Sequence, residues 1–228
     1  VDRSSSGSRK QILYPVKVTG IDWLAESTFE IRFQRPKAFE FQPGQKIGVV
    51  HAGVYRDYTL INAVQDQELA LCVRHIADGE LTPVLAGARM GDVFHITPAF
   101  GYFVYQSSRH PAVFAATGTG IAPFVAFARA GVAPSLLLHG VRASDELYYH
   151  EILSSNAEHY TPCISAVPGE ETTATGVFPG RVTDFLERQL PPGNYDFYLC
   201  GRSEMLRDAM GIIDRRFSES RVFSELFF

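Results

Sequence analysis

Among its 228 residues the chain has three cysteines, one tryptophan and no long apolar run. Cys72, Cys163 and Cys200 are widely separated and form no Cys-x-x-Cys pair. That excludes a zinc or iron–sulfur site built from neighbouring positions and points to a reducing, cytoplasmic compartment. Any iron–sulfur centre in its chemistry must therefore sit on another chain. Apolar stretches such as 112–116 and 135–138 are far shorter than the roughly 20 residues a membrane-spanning helix needs, so no membrane span is expected. Positive charge does not predominate either. Lysine and arginine total 21 against 25 aspartates and glutamates, a net charge of -4, which lacks the basic footprint of a nucleic-acid binder. Residues 1–10 are polar and serine-rich without the apolar core of a secretory signal, and are expected to be a tail or linker outside the fold.

What is present is enough sequence for two domains of about 100 residues, each with its own core. From 11 to 107, short strands alternate with turn residues: 14–20, 27–34, 46–51, 56–61, 68–76 and 92–97. One helical segment, 81–88, follows Asp78-Gly79. This rhythm predicts an antiparallel β-barrel. From 108 to 228 the rhythm changes. Apolar strand-length runs at 112–116, 135–139, 162–167 and 195–200 are separated by helical patterns at 123–130, 145–153, 182–190 and 204–217. Such alternation predicts an α/β domain with a parallel sheet covered on both faces. Ligands of such sheets bind beyond the carboxyl ends of the strands, where Thr117-Gly118-Thr119-Gly120 and Gly201-Arg202-Ser203 fall.

Two motifs about sixty residues apart carry the chemistry. Arg56-Asp57-Tyr58-Thr59 places a permanent cation, an aromatic ring and a small hydroxyl on one strand, with Arg56 and Tyr58 on one face and Thr59 on the other. A guanidinium binds phosphate bidentately, a tyrosine can lie on a planar ring, and a threonine hydroxyl can meet a ring nitrogen. Taken singly, these residues are equally good strand formers. Gly79-Glu80-Leu81-Thr82 opens the helical segment with backbone N–H groups suited to a pyrophosphate. The second motif, Thr117 to Pro123, is a glycine-rich turn between a strand and a helix. Gly118 and Gly120 allow close backbone approach, and Pro123 suits a first helical turn. Cys200-Gly201 ends the last core strand, where a thiol can approach a ring, although a lone cysteine there is usually a small buried hydrophobe. The terminal Val222-Phe223-Ser224-Glu225-Leu226-Phe227-Phe228 ends in aromatic residues that need cover or a flat ligand, with Glu225 the carboxylate nearest to it.

In this order, the segments resemble the ferredoxin-NADP reductase family over nearly the whole chain. Pro43-Gly44-Gln45-Lys46-Ile47-Gly48-Val49 is similar to the strand leading to the flavin. Arg56 to Thr59 is similar to the family's Arg-x-Tyr-Ser/Thr motif, Leu71-Cys72-Val73-Arg74 to the strand beside the flavin, and Gly79 to Thr82 to the pyrophosphate segment. In the second half, Gly118 to Pro123, His139-Gly140-Val141-Arg142 and Cys200-Gly201 resemble the pyridine-nucleotide site. The resemblance implies that Arg56, Gly79, Leu81 and Thr82 hold the FAD pyrophosphate, that Tyr58 packs on the isoalloxazine, and that Thr59 bonds near N5. It also implies that Val73 and Arg74 flank the flavin. Thr117, Gly118, Thr119, Gly120, Cys200, Gly201, Arg202 and Arg142 would surround the nicotinamide nucleotide. Phe228 or Phe227 would occupy the nicotinamide's stacking place, and Glu225 would tune or relay protons. The implied reaction is hydride transfer between NADH or NADPH and FAD N5, followed by single-electron transfer to a ferredoxin or other iron–sulfur protein.

Where the chain departs from the family pattern, choices stay open. The connection from His51 to Arg56 lacks the long insertion that helps plant-type members hold adenine, leaving FAD bent at that end and FMN an alternative. Members that prefer NADPH often carry Ser-Arg where this chain has Pro168-Gly169-Glu170-Glu171. Carboxylates there favour NADH, while Arg142 and Arg202 or Arg207 can meet a 2′-phosphate. A free-standing flavin, ferric or quinone reductase, and a non-catalytic nucleotide-binding redox subunit, are the other two readings.

Overall fold

The computed structural model describes residues 12–165 and 176–227. The first sheet contains β1 (Tyr14–Ala25), β2 (Thr28–Gln34), β3 (Lys46–His51), β4 (Val54–Thr59), β5 (Glu68–Arg74) and β6 (Val93–Ile96), in the order β4-β3-β6-β1-β2-β5. Every pairing is antiparallel, and an isolated bridge from Leu60 to Leu71 brings the two edges together into a barrel. Alternation drives it. Phe29, Ile31 and Phe33 on β2, Ile47 and Val49 on β3, and Leu69, Leu71 and Val73 on β5 point into one core, which Leu81 and Leu85 cap.

The second sheet contains β7 (Ala112–Thr117), β8 (Leu136–Val141), β9 (Tyr160–Ile164), β10 (Phe178–Pro179), β11 (Asp196–Gly201) and β12 (Arg221–Leu226), all parallel, in the order β10-β9-β8-β7-β11-β12. Chain order reverses at β7, so a crevice opens between the carboxyl ends of β7 and β11. The sequence therefore gives the right class for both halves. The covering helices are α2 (Ala122–Arg129), α3 (His150–Asn156), α4 (Val182–Arg188) and α5 (Ser203–Arg216).

Several element limits differ from expectation. The helix expected over 81–88 is the five-residue α1 (Thr82–Ala86), with Pro83 in its first turn and Gly87 at its end. The pattern at 145–153 splits into a 3-10 turn, Ser144–Glu146, and α3. The Glu146 carboxylate accepts the Arg142 N–H at 2.8 Å, and Tyr149 adopts φ 62°, which ends the turn before α3 begins. The strand expected over 56–61 is β4, because the chain turns at Ala52-Gly53 and has left the ladder after Thr59. The strand expected at 162–167 starts two residues earlier, at Tyr160, and its last two positions lie outside the described residues.

The halves meet through a shared apolar cluster in which Ile61, Cys72 and Phe103 pack with Phe114, Phe124, Phe127 and Tyr198. Polar contacts fix the register of this junction. Tyr149 Oη donates to Glu30 at 2.9 Å, and Arg129 donates to the Ile61 carbonyl at 2.9 Å while lying over the Tyr149 ring.

Candidate functional site

The hairpin from β3 to β4 turns through Ala52 and Gly53, both at positive φ (48° and 83°), the geometry that matches strand twist in a two-residue loop. This sets the register: Lys46 faces Thr59, Gly48 faces Asp57 and Val49 faces Arg56. Directly opposed residues share a face of the ladder, so Lys46, Asp57 and Thr59 stand on one side and Arg56 and Tyr58 on the other.

The Arg56 guanidinium is exposed and donates to the Tyr55 carbonyl at 2.7 Å and to Glu80 Oε2 at 2.5 Å. Arg56 and the segment Gly79 to Thr82 are thus brought together as expected, with Glu80 as the cation's partner. The Gly79 N–H is bonded to the Ile76 carbonyl, and the Thr82 hydroxyl both accepts from the Ile76 N–H and donates to its carbonyl. The helix this loop opens, α1, is only five residues long, and the fixed charge of Arg56 stands beside its start through Glu80. Leu81 and Val73 are core residues of the barrel, and Arg74 is exposed at the end of β5. Tyr58 is half-buried, and burial pushes its hydroxyl up to about 12, against the pull of Arg56.

Across the junction, β7 runs into the 3-10 turn Gly118–Ile121 and then α2. Gly118 takes φ 54°, and a Cβ at Gly120 would run into the Cys200 carbonyl. A Cβ at Gly201 would run into Thr117 Oγ1, so the two glycine loops pack against each other at the switch point. The Arg202 N–H donates to Thr117 Oγ1 at 3.4 Å. Thr117 and Thr119 are half-buried, and the Arg142 and Arg202 side chains are exposed at the rim.

The C-terminal segment is a strand through Leu226. β12 pairs with β11 so that Cys200 faces Glu225, and Phe223 stacks on Tyr198 at 4.6 Å. The Phe227 N–H donates to the Gly201 carbonyl at 2.9 Å, and its ring packs on the junction cluster. Phe228 and the segment Pro168 to Glu171 lie outside the described residues.

The junction gathers Lys46, Asp57, Thr59, Cys200 and Glu225. Lys46 Nζ lies 2.9 Å from Glu225 Oε1. Burial raises the Glu225 carboxyl above its ordinary value, Lys46 pulls it back, and Asp57 raises it further. The Cys200 thiol is fully buried and held well above its ordinary value by that burial and by Glu225, so it is protonated at neutral pH. Thr59 Oγ1 and Glu225 Oε2 are buried without a hydrogen-bond partner among the described residues. Leaving such atoms unsatisfied costs about 1–3 kcal/mol each, which suits a polar ligand edge. Lys46, Asp57 and Glu80 were missing from the sequence-based site. The signal for Lys46 was the Ala52-Gly53 turn, whose two-residue length would have set it opposite Thr59.

Comparison with known proteins agrees with this geometry. Residues 15–105 match the oxidoreductase FAD-binding domain, and residues 114–210 match the oxidoreductase NAD-binding domain. The chain belongs to the ferredoxin-NADP reductase family. That family consists of FAD-dependent NAD(P)H oxidoreductases. This family member is 26% identical over 210 residues to the toluate 1,2-dioxygenase electron transfer component of Pseudomonas putida, covering 86% of the chain and 62% of the relative. It is 30% identical over 122 residues to the flavodoxin/ferredoxin–NADP reductase of Escherichia coli (strain K12), covering 50% of the chain and 49% of the relative. Its fold matches a Neisseria gonorrhoeae ferredoxin NADP+ reductase with a TM-score of 0.81 at 20% identity, over 95% of this chain and 99% of that one. The chain spans from 36% to 62% of the length of the curated relatives it matches.

Proposed function

We propose that this reductase oxidises NADH or NADPH through FAD and delivers single electrons to a separate iron–sulfur protein, a ferredoxin or an oxygenase component. The barrel, 11–107, holds the flavin, and 108–228 holds the nicotinamide nucleotide. The observation that carries the reading is the pair of partnerless buried oxygens, Thr59 Oγ1 and Glu225 Oε2, at the junction where the two glycine loops meet the barrel. Together with a cation at Arg56 and an aromatic face at Tyr58, they supply the donor set a flavin dinucleotide needs.

FAD, when bound, supplies a ring that accepts hydride from the dihydronicotinamide and gives up electrons one at a time. Arg56, paired here with Glu80, would hold the pyrophosphate together with Gly79, Leu81 and Thr82. Tyr58 would pack on the isoalloxazine, Thr59 would bond near its N5, and Val73 and Arg74 would flank it. Thr117 to Gly120, Cys200, Gly201, Arg202 and Arg142 receive the nucleotide. Phe227, whose ring packs on the junction cluster, would cover the flavin ring where the nicotinamide must stack. Because the Cys200 thiol is buried and protonated, its part is to shape the nicotinamide pocket and not to act as a nucleophile. The dioxygenase electron transfer component among the relatives supports an oxygenase component as the acceptor. The three free, buried cysteines suit a cytoplasmic setting.

The test is anaerobic addition of NADH, and separately NADPH, to protein reconstituted with FAD. Bleaching of the flavin band is expected, with the faster nucleotide naming the donor. Turnover with a ferredoxin exceeding that with ferric chelates supports the protein acceptor. A protein that takes up no FAD contradicts the reading.

A further inference from the structure

Lys46 is unusual among its neighbours. It opens a strand whose next residues, Ile47, Gly48 and Val49, are all buried, and its own side chain is only 21% exposed. The hairpin register sets it opposite Thr59, and its ammonium reaches across the junction to a Glu225 carboxylate that is 9% exposed. The ion pair therefore joins β3 of the barrel to β12 of the α/β sheet. Glu225 is left with Oε1 engaged by Lys46 and Oε2 buried with no partner. The other titratable groups facing Glu225 are Asp57 from β4 and Cys200 from β11.

We propose that Lys46 is a positioning residue for the flavin face: its ammonium holds the Glu225 carboxylate, charged and oriented, beside Thr59, and ties the C-terminal strand to the barrel. This rests on the reading that Thr59 faces the flavin ring. Removing the cation leaves a carboxylate with a buried oxygen, a second carboxylate at Asp57 and no counter-charge. Such a group relieves its burial by taking up a proton. The pair thus sets the pH above which negative charge stands beside the ring.

The sign follows from burial. A carboxyl whose value is raised in the folded protein contributes stability that is present below the ordinary carboxylate range and is lost as pH rises through the folded value. In Lys46→Met that window extends to higher pH. The experiment compares wild type, Lys46→Met, Lys46→Arg, Glu225→Gln and Lys46→Met with Glu225→Gln. Two readouts are taken across pH 5 to 9: the thermal midpoint of flavin-free protein and the visible spectrum of bound FAD. The expected result is an apparent acid constant lowered at least about tenfold in Lys46→Met, near wild type in Lys46→Arg, and no such titration in the two variants lacking Glu225. A Lys46→Met profile that overlays wild type overturns the proposal. So does a titration that persists in Glu225→Gln, a variant that removes the buried carboxylate and decides the matter if Lys46→Met does not fold. The flavin-free midpoints read the ion pair independently of the cofactor. Wild type that binds FAD while showing no pH-dependent spectrum overturns the pair's reach to the ring. Wild type that binds no FAD at all overturns the function reading and that same reach, and is recognised by the missing flavin band.

Discussion

The two ends of the site are built on opposite electrostatic terms. At one end, Arg56 and Glu80 meet in water, with 54% and 65% of their side chains exposed. At the other, Lys46 and Glu225 meet where the two sheets close on each other, beside a buried hydroxyl and a buried thiol. An exposed pair contributes on the order of 0–1 kcal/mol and weakens with salt, so its members can change partners at little cost. A buried pair is costly to break from one side, because the remaining charge is stranded. The difference suits the proposed division of labour. In that proposal the exposed end exchanges a carboxylate for a phosphate, while the buried end keeps a fixed charge distribution where hydride would move.

The comparison can be broken most severely at the junction itself. Gly120→Val places a branched side chain against the Cys200 carbonyl, where backbone surrounds it and cannot yield. Unfolding measured by denaturant titration is expected to show a loss of about 3 kcal/mol or more, together with loss of bleaching by either nicotinamide nucleotide. At the exposed end, Arg56→Ala should keep the fold and weaken FAD binding about 10- to 100-fold, read by fluorescence titration, since charge-assisted hydrogen bonds to phosphate are removed. Retention of a full complement of FAD by this variant would contradict the phosphate role. The smallest effect sharpens the comparison: Glu80→Gln should tighten FAD binding about two- to fivefold at low salt, and the gain should fade as salt is raised.

Much of this was legible in the sequence because each half has a strong local signature. Period-2 burial in β2 and continuous apolar runs in β5, β7 and β11 follow from which faces those strands cover. The placement of Arg56 beside the Gly79 to Thr82 segment, and of the Thr117 to Gly120 loop between β7 and α2, was readable because the residue types fit those positions. What was not readable depends on distant partners. The Arg56–Glu80 pair spans 24 positions and the Tyr149–Glu30 bond 119, so neither leaves a local pattern. The break before α3 was hidden because the positive φ of Tyr149 runs against residue preference and accompanies contacts to Glu30 and Arg129 from elsewhere in the fold. The length of α1 was overestimated because Leu81 before it and Ala88 after Gly87 extend the apolar pattern beyond the helix at both ends.

The central claim is that the exposed end holds the cofactor while the buried end acts on hydride transfer. Stopped-flow bleaching by saturating NADH or NADPH, whichever is the faster donor, with Thr59→Ala at saturating FAD, tests it most directly. The account predicts a loss of FAD affinity no greater than about tenfold, smaller than in Arg56→Ala, and a bleaching rate at saturating FAD at least about tenfold lower, as expected when an aligning hydrogen bond is lost. A variant that bleaches at the wild-type rate, or one that loses FAD while its residual flavin reacts normally, would contradict it.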